Sequence, residues 1–152
     1  MKEDLLQFIW KMKLLPLKLK TTNNSVVLVK DFGTLNHDQG PDFLNSKVFI
    51  DKLEFAGSVE IHINGSDWNK HNHSNSPLYD NVILHVVYKS DIEICNTEDQ
   101  PILTIELKNI ISPHFLWRYK NVMDSQKEIS CESSINRTEN IDWMIVKDRL
   151  LA

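Results

Sequence analysis

The residues of this chain best suited to chemistry are Asp42, Glu60 and His62. An aspartate in a turn before one strand, followed on the next strand by polar groups at alternate positions, brings three side chains into one small space. A hard cation needs that convergence, because carboxylate oxygens both neutralise its charge and replace its water ligands. If the cation also holds a phosphate, it activates water and stabilises the charge of a hydrolytic transition state. The expectation is that Asp42 and Glu60 hold Mg2+ or Mn2+, with His62 assisting water or completing the coordination. The plain alternative is a polar sheet face on which Asp42 caps its own turn.

A second set follows in Asp67-Trp68-Asn69-Lys70-His71-Asn72-His73. On a short helix Asp67 and His71 face one ligand, and His71 with His73 offers imidazoles to Zn, Mn or Ni. The H-E-x-x-H pattern is missing, so a mixed N/O site fits better than a zinc-only one. The competing readings are an exposed loop residue for His73 and a local hydrogen bond for His71. His85 alternates with Ile83 and Val87 inside VILHVVY. It is either a buried neutral histidine with its own partner or a group that reaches the Glu60/His62 face as ligand or orienter. Asp80 joins it or caps a turn. Lys47, Lys52, Lys70, Lys89 and Lys108 form a phosphate-binding surface only if their strands converge, and the tryptophans, Trp68 included, are explained as well by packing as by base stacking.

The elements that must position these groups are legible in part. Leu5, Leu6, Ile9 and Trp10 predict a helix over residues 3–13, ended by Pro16. A short strand follows around residues 15–20, then a second at 26–32. Residues 33–43 read as an irregular connection, because glycine, proline and short polar residues crowd together. Strands are expected at 47–52 and 55–63, the second placing Val59, Ile61 and Ile63 on one face and Glu60 and His62 on the other. Ser66 can cap a short helix over residues 67–71, and a loop leads to the most continuous apolar strand, 82–88, expected at the sheet centre. Further strands are expected at 92–95 and 102–107. Ser112 and Pro113 open a helix over 112–124, and a last amphipathic helix is expected at 141–151. The fold class is α+β, a mixed β-sheet flanked by helices, in one α/β domain over residues 1–152.

A chain of 152 residues with 41% hydrophobic content can bury a sizeable core without staples. Cys95 and Cys131 are too few and too far apart for a disulfide framework or a zinc knuckle, and reduced thiols suit a cytoplasmic compartment. The charge of -4 supplies no whole-chain field for nucleic acid, but it leaves room for a local basic groove. The N-terminus lacks the apolar core of a signal peptide, and no run is long enough to span a bilayer, so no membrane partner is expected. The Asn triplets at Asn23, Asn64, Asn72 and Asn136 are then idle as glycosylation acceptors.

Pro41-Asp42 followed by Glu60-Ile61-His62 resembles the PD-(D/E)xK nuclease superfamily. The resemblance implies a restriction-endonuclease-like core, a divalent cation and nucleic acid as partner. His62 stands where that pattern has its lysine; lysine stays cationic beside phosphate, whereas neutral histidine serves as base or ligand. A longer resemblance is carried by G-P-D-F-x-N-[SA], A-G-x-V-E-I-H-I, S-D-W-x-K-H-x-H and Y-D-N-V-I-L-H-V-V, with the opening DLLQFIW, the later ELK and the Cys131 region. This set is similar to the bacterial family catalogued as domain of unknown function 2851. Its polar positions here include Asn36, Gly40, Asp42, Glu60, His62, Asp67, Trp68, His71, His73, Asp80, Asn81 and His85. The resemblance implies a bacterial protein whose relatives are longer, this chain being their N-terminal portion; it implies no activity.

Two functional classes stand at this point. One is a metal-dependent phosphodiesterase or nuclease-like domain with catalytic Asp42, Glu60, His62 and His85 and cation ligands Asp42, Glu60, His62, His71 and His73. The other is a noncatalytic binding or assembly domain that presents the same polar surface to a partner, as a homo-oligomer or with a C-terminal region outside this chain.

Overall fold

The computed structural model describes residues 2–128, so the expected helix at 141–151 and the Cys131 region lie outside the described residues. Two compact units divide the chain, residues 1–110 and 111–152. In the first, helix α1 (Glu3–Lys11) buries Leu5, Leu6, Phe8, Ile9 and Trp10. It stops before Pro16 has any part in it. Lys13 takes a left-handed conformation, its N–H bonds the Trp10 carbonyl, and the Leu14 N–H bonds that of Ile9. This is a Schellman ending, which satisfies carbonyls that the last turn leaves open.

Seven strands form one mixed sheet. They are β1 (Lys18–Lys20), β2 (Val26–Asp31), β3 (Thr34–Leu35), β4 (Phe43–Ile50), β5 (Leu53–Asn64), β6 (Val82–Lys89) and β7 (Thr104–Glu106). The order is β1-β2-β4-β5-β6-β7, with β3 also paired to β4. Neighbours are antiparallel as far as β5; β5–β6 and β6–β7 are parallel. The expected α+β class, a mixed sheet flanked by helices, is what forms, and the sheet curls into a half-barrel in which the Thr22 N–H reaches the Thr104 carbonyl.

Several boundaries differ from expectation for identifiable reasons. The segment 33–43 contains β3 and the start of β4, because Leu35 pairs with Phe43 and Thr34 with Leu44. Asp51 and Lys52 both have positive φ, making the two-residue hairpin turn whose twist matches its strands, so β4 ends at Ile50, short of the expected residue 52, and β5 begins at Leu53, ahead of the expected residue 55. Residues 92–95 make no strand, only one bridge between Cys95 and Pro101. Gly57 is required by close approach: a Cβ there would lie 2.5 Å from Ile83 Cγ2 and 2.6 Å from the Asn81 carbonyl.

The parallel β5–β6 pair decides where the site forms. Parallel neighbours need a long crossover, here residues 65–81, carrying helix α2 (Asp67–Lys70) and 3-10 turns at His73–Asn75 and Pro77–Tyr79. The described part of the second unit is α3 (Pro113–Glu128). As expected, Ser112 caps it, its hydroxyl accepting the Phe115 N–H at 3.1 Å. No helix among the described residues is long and apolar enough to cross a membrane.

Candidate metal centre

Alternation along β5 puts Glu60 and His62 on one face, 5% and 1% exposed. The parallel register sets His85 of β6 opposite Glu60, so His85 joins that face while Leu84 and Val86 take the other. His62 Nδ1 lies 2.8 Å from His85 Nε2. The crossover then delivers two more imidazoles. His71 Nδ1 is 3.1 Å from His62 Nε2, and His73 Nε2 is 3.3 Å from Glu60 Oε1, which is itself 3.5 Å from His62 Nε2. His62, His71 and His73 each offer a ligating nitrogen within 4.8 Å of the others.

Three of these contacts, at 3.1, 3.3 and 3.5 Å, are near a tetrahedral edge, and the three imidazole nitrogens lie within 4.8 Å of one another. Zn–N bonds of about 2.0–2.1 Å place tetrahedral ligand atoms roughly 3.3–3.4 Å apart. His73 Nε2 is buried and, despite its 3.3 Å approach to Glu60, makes no hydrogen bond, so its geometry leaves the nitrogen uncommitted. If His62 offers the Nε2 lone pair, its proton sits on Nδ1 and is donated to His85 Nε2; His85 then carries its own proton on Nδ1. That atom is buried without a hydrogen bond.

Trp68 and Tyr79 hold the imidazoles in place. The Trp68 ring is fully buried, 5.2 Å from the His73 ring and 5.4 Å from that of His85, and its Nε1–H is shared between Ser74 Oγ and the Cys95 carbonyl. The sequence left packing and stacking equally open for Trp68; it packs, in an apolar cluster with Val82 and Ile94. Tyr79 stacks on His73 at 3.7 Å. Asp67 turns elsewhere: one oxygen accepts the Asn64 backbone and side-chain N–H groups, the other Lys70. Asp80 accepts the Thr97 hydroxyl.

Asp42 sits beside the cluster in a supporting position. Its backbone N–H donates to Glu60 Oε2 at 2.9 Å, which leaves Oε1 turned toward the imidazoles. Its carboxylate accepts Gln7 Nε2 at 2.8 Å on one oxygen and the Ile61 N–H at 3.0 Å on the other. The reason lies in the sheet. The β4 ladder ends with Phe43 opposite Val59, so β5 runs on past its neighbour and the Ile61 N–H needs another acceptor. Asp42 satisfies Ile61, and Gln7 of α1 braces Asp42 at that edge. Glu3, one helical turn before Gln7, lies near the Ile63 backbone. Neither they nor Tyr79 stands out in sequence, since each has the look of a solvated helix or loop residue.

Burial dominates the electrostatics. It raises the Asp42 carboxyl to about 7, helped by the Glu60 charge, and the Glu60 carboxyl to about 8. Burial also lowers His62 and His85 to about 3, with the neighbouring histidines adding to the effect, and lowers His73. Near neutral pH His62 and His85 are uncharged imidazoles beside acids that release their protons reluctantly.

The open side of the centre is a cleft of about 550 Å³. Its lining includes His71, His73 and Tyr79 from the crossover and Asp38, Gln39 and Gly40 from the segment before β4. Asn36 shapes that segment, donating to the Gln39 and Pro41 carbonyls and accepting the Asp38 N–H.

A family model described as Protein of unknown function (DUF2851) matches residues 3–152. The chain belongs to that family. No curated protein and no solved structure matches it. Among the residues of this DUF2851 chain that carried the sequence likeness, the fold brings together Glu60 and His62 of β5, His71 and His73 of the crossover, and His85 of β6. The likeness to the PD-(D/E)xK superfamily has no counterpart among these matches.

Proposed function

We propose that this chain is a metal-dependent phosphodiesterase domain in which His62, His71 and His73, with Glu60 beside them, hold one divalent cation at the floor of the cleft. The observation that carries the reading is the convergence of three imidazole nitrogens within 4.8 Å of one another, with Glu60 Oε1 3.3 Å from His73 Nε2 and 3.5 Å from His62 Nε2. Three imidazoles and one carboxylate oxygen suit a zinc-type cation better than Mg2+, which prefers oxygen ligands; Mn2+ tolerates the mixed set. His62, His71 and His73 alone form the three-ligand set that leaves a position open, with Glu60 Oε1 beside it, and a cation so held would polarise a phosphoryl oxygen and lower the pKa of a water toward about 7.

The protein's own groups do the remaining work. The Asp42 N–H grips Glu60 Oε2 and aims Oε1; His85 fixes the tautomer of His62; Tyr79 and Trp68 hold the His73 ring. The likeness of Asp42, Glu60 and His62 to the nuclease pattern supports a phosphodiester as the bond attacked. Histidine in place of lysine supports ligation at that position.

Metal content after equilibration with Zn2+ or Mn2+ is expected to be one cation per chain. His71→Ala, at an exposed position that leaves the core intact, is expected to weaken binding at least about 100-fold, since it removes a ligand outright. Hydrolysis of bis(p-nitrophenyl) phosphate by the loaded protein should fall at least about 100-fold in Glu60→Ala. Equal rates in wild type and Glu60→Ala would remove the mechanism, and no bound metal would remove the centre. For His85, alanine should weaken metal binding about 10–100-fold and asparagine, which keeps an acceptor for His62 Nδ1–H, should restore most of it. Equal affinity in all three proteins would show His85 to be mere filling.

A further inference from the structure

The chemistry of the cleft walls separates small phosphodiesters from duplex nucleic acid. A duplex-binding protein neutralises many phosphates with lysine and arginine, each contact releasing condensed counterions. Among the described residues, no lysine or arginine lines this cleft. The lysines that the sequence offers for a phosphate surface are placed elsewhere. Lys47 and Lys52 belong to the β4–β5 hairpin, and Lys70 is paired with Asp67. Lys89 closes β6, and Lys108 follows β7. Asp38 is in the lining, and Glu60 Oε1 lies beside the imidazoles. With no cationic side chain among the described lining residues, the charge set against a phosphate is that of the bound cation, enough for one such group.

Size and the remaining lining point the same way. A volume near 550 Å³ falls in the range of small-molecule pockets. Its lining also carries Leu78, 55% exposed, next to Tyr79 in the chain, and the Gln39 amide. An apolar surface together with an amide suits a flat, uncharged group that offers hydrogen-bonding edges, as an unpaired nucleobase does.

We infer that the substrate of this centre is a small phosphodiester carrying one phosphate and an unpaired base or similar uncharged group, and that the cleft does not take duplex DNA or RNA. The inference rests on the phosphodiesterase reading for the phosphate, and binding separates the two. Fluorescence anisotropy of the Zn2+-loaded full chain would compare a labelled dinucleotide with a labelled short DNA duplex over increasing salt, metal content being measured on the same samples. The expected result is saturable dinucleotide binding that varies little with salt, is weakened up to about tenfold by Gln39→Ala, and is lost with the metal, while the duplex does not compete. Duplex binding tighter than dinucleotide binding with a steep salt dependence overturns the inference, as does a loaded protein that binds neither. Dinucleotide binding without turnover overturns only the catalytic reading.

Discussion

Trp68→Ala is expected to lower the stability of the metal-free protein by about 3–5 kcal/mol, as removal of a fully buried tryptophan does where the surroundings cannot collapse. The ring has 0% exposure and contacts three aromatic neighbours, His73, Tyr79 and His85. Its loss also leaves Ser74 Oγ and the Cys95 carbonyl without the Nε1–H donor. Trp68→Phe separates the two contributions, because it keeps most of the packing and loses the donor, a net cost of about 1 kcal/mol beyond the volume change. Urea unfolding in chelator reads both. Trp117→Ala, at a position 61% exposed, is the control and should stay within roughly 0.5 kcal/mol of wild type. A Trp68→Ala protein as stable as that control would show that the ring does not hold the crossover against the sheet.

The second large effect is a reversal of pH dependence by metal. In the metal-free fold Asp42 and Glu60 keep protons up to about 7 and about 8, whereas the unfolded chain releases them near 3.8 and 4.5. The folded state therefore binds more protons through that window, and its stability falls as pH rises. His62 and His85 act oppositely. Their folded values near 3 lie below the ordinary 6.5, so stability is lost as pH falls from 6.5 toward 3. Between pH 6.5 and 8 the carboxyls outweigh the last of the opposing histidine contribution, and the metal-free protein should lose on the order of 1 kcal/mol, a drop of a few degrees in Tm. A cation at Glu60 requires the ionised acid, so binding releases a proton and strengthens with pH. Thermal scans in chelator should fall from pH 6.5 to 8, while the gain from added Zn2+ grows over the same range. At a thousandfold excess over Kd that gain is about 4 kcal/mol. A metal-induced gain that shrinks with pH would mean that Glu60 does not become charged on binding.

Local pattern made much of this architecture legible. The alternation Val59-Glu60-Ile61-His62 allows only one partition of faces, and the continuous apolar run at 82–88 forms β6, which is flanked on both sides but lies next to the edge strand β7, not at the expected sheet centre. Ser112 and Pro113 announce their helix start by chemistry that acts within one turn. The ends of elements were less legible. α1 closes on Lys13 in a conformation that glycine usually supplies, so nothing in the residue type marks it. β3 exists because β4 extends back to receive it, a pairing between segments that periodicity within either does not encode.

What the sequence by itself determined is therefore the identity and facing of the donors on single strands: Glu60 with His62, and His85 on the same side as Val87. The tertiary structure decided that His71 and His73 join them, because only the parallel β5–β6 pairing forces the intervening chain to cross that face. It also decided that Asp42 grips Glu60 and the β5 edge, since the free Ile61 N–H appears only where the β4 ladder runs out. A side chain's face is set by backbone geometry within a few residues. Its partners are set by strand order and register, which depend on contacts between residues far apart in the chain.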